Sequence, residues 1–153
     1  KSFAKAADVP IVGVSTLAAL AYPLAYPAPG EVVVSMYEAH RNEVFAGAYQ
    51  FDGEGLKSVA ADRTASPDEA IEMLNELTEE YDRLTLVGNG PQHYDKIAEG
   101  LGDRIRYTDD STHDVSGVAL ALLGRRKAER EGPDLVEVLE PNYIRPSDAE
   151  VHN

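Results

Sequence analysis

The chain has 153 residues, 43% hydrophobic and 27% charged, which fits one globular domain with a substantial core. With 14 Lys and Arg against 27 Asp and Glu its formal charge is −13, so it lacks the basic footprint that direct nucleic-acid binding requires. It contains no cysteine, which excludes disulfides and thiolate metal sites, and no apolar run approaches the roughly 20 residues of a membrane span.

The first seven residues read as the tail of a helix without a capping pattern. Residues 9–14 are apolar and predict a short buried strand, after which Ser15 and Thr16 carry hydroxyls suited to capping a helix over 17–22. Pro23, Pro27 and Pro29 with Gly30 make a stiff connection. Residues 31–37 and 44–51 are both rich in β-formers and predict a hairpin. Its turn is unusual. Hairpin turns favour Gly, Asn or Asp because they need φ > 0, whereas this one gathers Glu38, His40, Arg41 and Glu43. Asp52, Gly53 and Gly55 then turn the chain into a third antiparallel strand at about 56–63.

Ser66, Pro67 and Glu69 spell a capped helix start, followed by Ala70, Ile71, Leu74 and Leu77 at helical spacing. Residues 83–88 are apolar on both faces, as in a central parallel strand. Gly90 and Pro91 turn into a helix over 92–101, residues 104–108 predict a fifth strand, and a loop at 109–114 leads to a last helix over 115–131. The core is expected to contain Val32, Val34, Leu84, Leu86, Ile71, Leu74, Leu122 and Leu123.

Three blocks in this order resemble one known family. The hairpin segment Glu-Ala-His-Arg-Asn-Glu-Val-Phe at 38–45 is similar to the Asp-Ala-Arg-x-x-Glu-Val-Tyr segment of the bacterial TsaB family, also called YeaZ. Glu38, His40 and Phe45 stand where that family usually has Asp, Arg and Tyr. Residues 8–20 look like its passage ending in Gly-Val-Ser-Ser/Thr-Leu, and 140–150 resemble its closing Pro-x-Tyr-Leu-Arg segment. The resemblance runs from about Lys5 to Glu150. It implies an α/β domain of ribonuclease-H-like topology, as in the actin and sugar-kinase superfamily, with a five-stranded mixed sheet in the order 3-2-1-4-5 and helices on both faces. The central first strand and its parallel fourth neighbour follow from a right-handed crossover through helix 67–80. TsaB-like proteins also have an amino-terminal half with an Ile-Asp-Thr-Ser-like strand and a Gly-Pro-Gly-Ser-Phe-Thr-Gly loop, neither of which occurs here. The expectation is therefore a carboxy-terminal domain at 31–153, preceded at 1–30 by the remnant of an interdomain helix, a short strand and a linker.

Candidate chemistry is sparse. Gly88, Asn89 and Gly90 follow a strand and precede a helix, where backbone N–H groups can meet an anion, but the segment is too short for a Walker loop and lacks its Lys-Ser/Thr. It remains the candidate nucleotide contact beside its reading as a tight turn. Asp109, Asp110, His113 and Asp114 resemble a hard-metal cluster, yet acids before a helix are also what the macrodipole favours, and that structural reading carries more weight. Ser15 and Ser147 have no sequence-adjacent base, and the four histidines show no ligand spacing. Arg125, Arg126, Lys127 and Arg130 suit the end of a helix.

The resemblance implies a non-catalytic partner in the biosynthesis of threonylcarbamoyladenosine in tRNA, supporting a TsaD-like transferase together with a TsaE-like ATPase in the cytoplasm. Such a protein meets tRNA only through its partners. Glu38, His40, Arg41, Glu43, Tyr143 and Arg145 are the family-motif residues and the candidate partner contacts, beside the reading of the hairpin charges as a solvated turn and of Tyr143 and Arg145 as structural; the resemblance implies no catalytic residue and no cofactor in this segment, with ATP or ADP at the interface of the complete complex. The alternative is an enzyme, either a metal-dependent glycoprotease-like peptidase or an acetate- or sugar-kinase-like phosphotransferase. An apolar patch formed by Ile11, Val12, Val14, Leu17, Leu20, Tyr143 and Ile144 is expected to favour a homodimer.

Overall fold

A computed structural model describes residues 1–25, 30–99, 103–108, 114–142 and 144. Five strands, β1 (Val32–Glu38), β2 (Val44–Phe51), β3 (Leu56–Ala65), β4 (Leu84–Val87) and β5 (Ile105–Tyr107), form one sheet in the order β3-β2-β1-β4-β5. The first three pair antiparallel, whereas β4 and β5 run parallel to β1, as the sequence pattern requires.

Alternation along β1 divides the core. Val32, Val34 and Met36 point to one face, where they meet Ala70, Met73, Leu74 and Leu77 of α3 (Pro67–Glu80). Val33 points to the other, against Leu17, Leu20 and Ala21 of α2 (Thr16–Ala25). Strand β4 does the same, with Leu84 and Leu86 towards α3 and Val87 towards α2. A residue buried on both faces of a central strand is what period-2 side-chain geometry delivers when each face carries a helix. Ala19 and Tyr22 of α2 then pack on Ala119 of α6 (Gly117–Glu131), which lies outside α2.

The capping box at α3 is formed in full: the Ser66 hydroxyl accepts from the Glu69 N–H, and the Glu69 carboxylate accepts from the Ser66 N–H at 2.7 Å. Ser15 likewise accepts from the Ala18 N–H at 3.2 Å and starts α2. That helix is integral to the body of the domain, and it runs through Pro23 to Ala25, past the expected end.

Several expectations need correction. Residues 9–14 are not a strand. Ile11 makes a single bridge to Asp134, and Pro10, with no N–H, cannot extend a ladder. The segment is held by other means: the Gly13 N–H donates to Asp134 Oδ2 at 2.7 Å, and Lys127 Nζ reaches both the Gly13 carbonyl and the Asp134 carboxylate. The expected helix 92–101 is two short ones, α4 (Gly90–His93) and α5 (Asp95–Glu99), parted at Tyr94, whose backbone is extended and whose hydroxyl donates to the Glu43 carbonyl at 3.1 Å. The last helix begins at Gly117, two residues past its expected start, with Ser116 as its cap. Within the expected core, Leu122 is 40% exposed and Leu123 and Ile71 are half-buried. Ala119 and Met73 hold the buried positions instead, because each helix turns a narrower stripe to the sheet than the apolar residues alone indicate. Leu17 and Leu20 belong to the core under α2, so they do not join an exposed patch.

Candidate functional site

The carboxyl ends of β1 and β4 lie side by side, and three features gather there. The first is the β1–β2 turn. His40, Arg41 and Asn42 have φ of 59°, 54° and 61°, so the positive φ that such turns need is met by three non-glycine residues. Hydrogen bonds from the Ala39 N–H to the Glu43 carbonyl at 2.9 Å and from the Glu43 N–H to the His40 carbonyl at 3.1 Å close the turn. His40 and Arg41 project into solvent, whereas Glu38 and Glu43 are half-buried. Nδ1 of His40 lies 3.6 Å from the Glu38 carboxylate.

The second feature is the turn at Gly88, Asn89 and Gly90. Gly88 has φ of +106°, and a Cβ placed on it would sit 2.1 Å from the Met36 carbonyl oxygen. A Cβ on Gly90 would sit 2.8 Å from the Met36 side chain. Close approach to β1 therefore accounts for both glycines. Asn89 Oδ1 accepts the Glu38 N–H at 2.9 Å, and Tyr107 donates to the Gly88 carbonyl at 2.9 Å. The hairpin turn and the strand-to-helix turn, which are separate motifs in the sequence, are thus laced together by Asn89 and Tyr94.

The third feature was not foreseen. Asp62 on β3 accepts the Ser15 hydroxyl at 2.5 Å and also the Tyr49 hydroxyl, while the two hydroxyls lie 3.3 Å apart. Ser15 has no acid or base near it in sequence, and the sheet supplies one from 47 residues away. Burial first, and then the hydrogen bond to Asp62, push the Tyr49 phenol far above its ordinary value. Gly47 makes room for the cluster, since a Cβ there would lie 2.4 Å from an Asp62 oxygen. A glycine inside an otherwise regular strand was the signal available in the sequence. Among the described residues the side-chain partners of Ser15 are a carboxylate and a phenol, Asp62 and Tyr49, rather than an imidazole.

Beside this cluster opens a cavity of about 650 Å³ between the start of α2, the β1–β2 strand ends, Val115, Pro141, Asn142 and Ile144. Tyr37 lines this cavity, and burial first, then the charge of Asp114, raises its phenol. A second cavity of about 520 Å³ lies between α2, β3 and α6, where Arg126 stacks over Tyr22 and Phe51 at 5.8 and 5.5 Å. Of the remaining candidates, Asp109, Asp110, His113, Tyr143, Arg145 and Ser147 lie outside the described residues. Among the described residues no group of three or more His, Asp or Glu is placed to hold a metal ion, and no helix is long and apolar enough to cross a membrane.

Three antiparallel strands, two parallel ones reached by helical crossovers, and a helical layer on each face define a ribonuclease-H-like domain of the actin and sugar-kinase class. Comparison with known proteins narrows this. Residues 1–152 match the family model described as TsaD: tRNA N6-adenosine threonylcarbamoyltransferase. The chain is 30% identical over 154 residues to the tRNA threonylcarbamoyladenosine biosynthesis protein TsaB of Bacillus subtilis (strain 168), covering 98% of this chain and 62% of that protein. Two solved structures share the fold at 21% identity: a Pseudomonas aeruginosa protein described as similar to the peptidase YeaZ, with a TM-score of 0.73 over 94% of this chain and 63% of the other, and YeaZ from Pseudomonas aeruginosa, with 0.71 over 93% and 63%. The chain belongs to this TsaD-related family, in its TsaB (YeaZ) branch. It spans less than two thirds of the length of these relatives.

Proposed function

We propose that the chain is the carboxy-terminal domain of a non-catalytic partner subunit for threonylcarbamoyladenosine modification of tRNA, one that supports a TsaD-like transferase and a TsaE-like ATPase. The observation that carries this reading is the family match across residues 1–152, joined by the relationship to a TsaB protein. The geometry supports it in a narrower way. The described end of the sheet offers a rigid, charged turn and a polar cluster in which the hydroxyls of Ser15 and Tyr49 are committed to Asp62, and such a cluster holds a shape rather than activating a nucleophile.

In this reading Glu38, His40, Arg41 and Glu43 form a contact surface for a protein partner, and the glycines at 88 and 90 serve the packing of that surface. The chain itself needs no cofactor, with ATP or ADP bound where the complete complex assembles, and with a net charge of −13 it meets tRNA only through its partners. The test is to delete the parent gene and measure threonylcarbamoyladenosine in total tRNA by mass spectrometry. Loss of the nucleoside, restored by the gene but not by one lacking the codons for residues 31–108 of this chain, is the expected result. Unchanged nucleoside after deletion refutes the proposal, and peptidase or kinase turnover by the purified chain would favour an enzymatic role instead.

A further inference from the structure

The β1–β2 turn is built on a strained backbone. His40, Arg41 and Asn42 follow one another at φ of 59°, 54° and 61°. His and Asn tolerate this region better than most side chains, and Arg41 between them does not. Three such residues in succession persist only where the surroundings fix them from several sides. All three are exposed, so burial does not repay the strain.

What fixes them comes from outside the hairpin. Glu38, the last residue of β1, donates its N–H to Asn89 Oδ1 at 2.9 Å. At the other stem the Glu43 carbonyl accepts the Ala39 N–H at 2.9 Å and the Tyr94 hydroxyl at 3.1 Å. Asn89 stands between two glycines that allow its turn to press against Met36. Tyr94 parts α4 from α5 with its backbone at φ −133° and ψ 97°, and its hydroxyl reaches the hairpin. Two departures from regular structure, the run of positive φ and the helix break, therefore meet at the Glu43 carbonyl. Ala39, 4% exposed, anchors the inner side of the turn.

We infer that this turn is a preformed recognition element and that Asn89 and Tyr94 are its positioning residues, holding residues 40–42 in the shape that a protein partner meets. Both act through the turn rather than on the partner. The inference rests on the reading that this turn faces a protein partner, and it adds which residues set the shape presented. A turn ordered before the encounter spares the cost of ordering it during docking. One that visits its bound shape only part of the time loses affinity by that fraction. The argument draws on backbone shape, so the ion pair of His40 with Glu38 does not alter it.

Two variants remove the holding contacts: Tyr94→Phe deletes one hydroxyl, and Asn89→Leu deletes the acceptor at similar volume. Asn89→Asp keeps the acceptor. In the ¹⁵N-labelled 153-residue chain, order parameters of the His40, Arg41 and Asn42 amides should fall from about 0.85 to below about 0.6 in the first two variants. The β1 amides should not change, and Asn89→Asp should recover the rigid turn. With the same changes in the parent gene, threonylcarbamoyladenosine in total tRNA should fall about threefold or more and recover in Asn89→Asp. Gly53→Ala, strained at the turn on the opposite end of β2, should leave the nucleoside unchanged. Asn42→Gly separates shape from stability: relief of a positive φ should raise the unfolding midpoint and yet lower the nucleoside, which a merely structural role would not do. Unchanged order parameters in both Tyr94→Phe and Asn89→Leu, or wild-type nucleoside in variants whose turn has loosened, would overturn the inference alone. Should deletion of the parent gene itself leave the nucleoside unchanged, the reading beneath the inference falls, and the inference with it.

Discussion

Replacing Gly88 by alanine tests the reason for that glycine more sharply than any ligand experiment. Two costs combine in Gly88→Ala. The first is the backbone: a residue with a Cβ held at φ of +106° loses on the order of 1–2 kcal/mol. The second is contact, because the new Cβ would lie 2.1 Å from the Met36 carbonyl oxygen, where real Cβ atoms keep at least 3.0 Å. The obstacle is β1 backbone just past the last β1–β4 pair, Ser35 with Val87, where Met36 is held against Ala46 of β2, so relief means moving a strand, and forced overpacking of this kind typically costs about 1–3 kcal/mol. The total is about 2–5 kcal/mol, a large share of the roughly 5–15 kcal/mol that holds a domain together.

The matched control is Gly53→Ala. Gly53 has φ of +97°, so its backbone cost is similar, but nothing lies within 4 Å of its Cβ position. Urea unfolding followed by circular dichroism, with equal m-values, should place Gly88→Ala at least about 1 kcal/mol below Gly53→Ala, the difference being the carbonyl contact alone. Equal losses in the two variants would refute the packing explanation and return Gly88 to the list of anion-binding candidates.

Further outcomes follow from the same geometry. Asp62→Ala leaves Ser15 and Tyr49 without their shared acceptor and should cost about 2–3 kcal/mol, against about 1 kcal/mol for Tyr49→Phe, with non-additivity in the double variant; additive losses in denaturant titrations would mean that the three groups do not act together. Tyr49 has its phenol raised in the folded state, so its contribution is complete below the ordinary value of 10.0 and declines above it, where the unfolded chain releases the proton first. Wild-type stability should therefore fall above pH 10 more steeply than that of Tyr49→Phe, and parallel curves would contradict the assignment. Asp134 has its carboxyl lowered, first by the Gly13 N–H and then by Lys127, so its contribution is present above the ordinary value of 3.8 and lost as pH falls through the depressed one. Asp134→Asn at neutral pH should accelerate hydrogen exchange at Gly13 while leaving β1 protected, and unchanged exchange there would show that the contact does not hold the segment. Asn42→Gly should raise stability by about 0.5–1 kcal/mol by relieving a positive φ, and a fall in the unfolding midpoint would argue against the turn geometry.

The sheet was legible because its signals are local and redundant. Val32, Val34, Leu84 and Leu86 announce strands buried on both faces, and Ser66, Pro67 and Glu69 announce the crossover helix that fixes β4 beside β1. Composition misled where an apolar run had no partner strand, as at 9–14, and where one helix face exceeded the space beneath it, as at Leu122. The site was harder to read because it is assembled across the sheet. Ser15, Tyr49 and Asp62 come from three elements, and their convergence depends on the irregular β2–β3 register around Ala48. Periodicity cannot anticipate a register shift. Only Gly47 left a trace in the sequence, and its meaning emerges from the carboxylate that occupies the space a side chain would fill.

The fastening of Gly13 to Asp134 has a consequence for how the polypeptide is threaded. Lys1 Nζ reaches the Glu137 carbonyl at 3.3 Å, and Lys5 pairs with the Glu137 carboxylate at 3.6 Å, so the opening residues run alongside the stretch that follows α6. Between Lys1 and Glu137 the chain is therefore close to a closed ring. Such rings tolerate being cut elsewhere. A circular permutant with residues 138 and 1 bridged by a short glycine-rich linker, and new ends opened at the exposed Gly53 turn, should retain the sheet order. It would also move any attached module to the Gly53 turn, separating what the sheet itself requires from what its neighbours along the chain require.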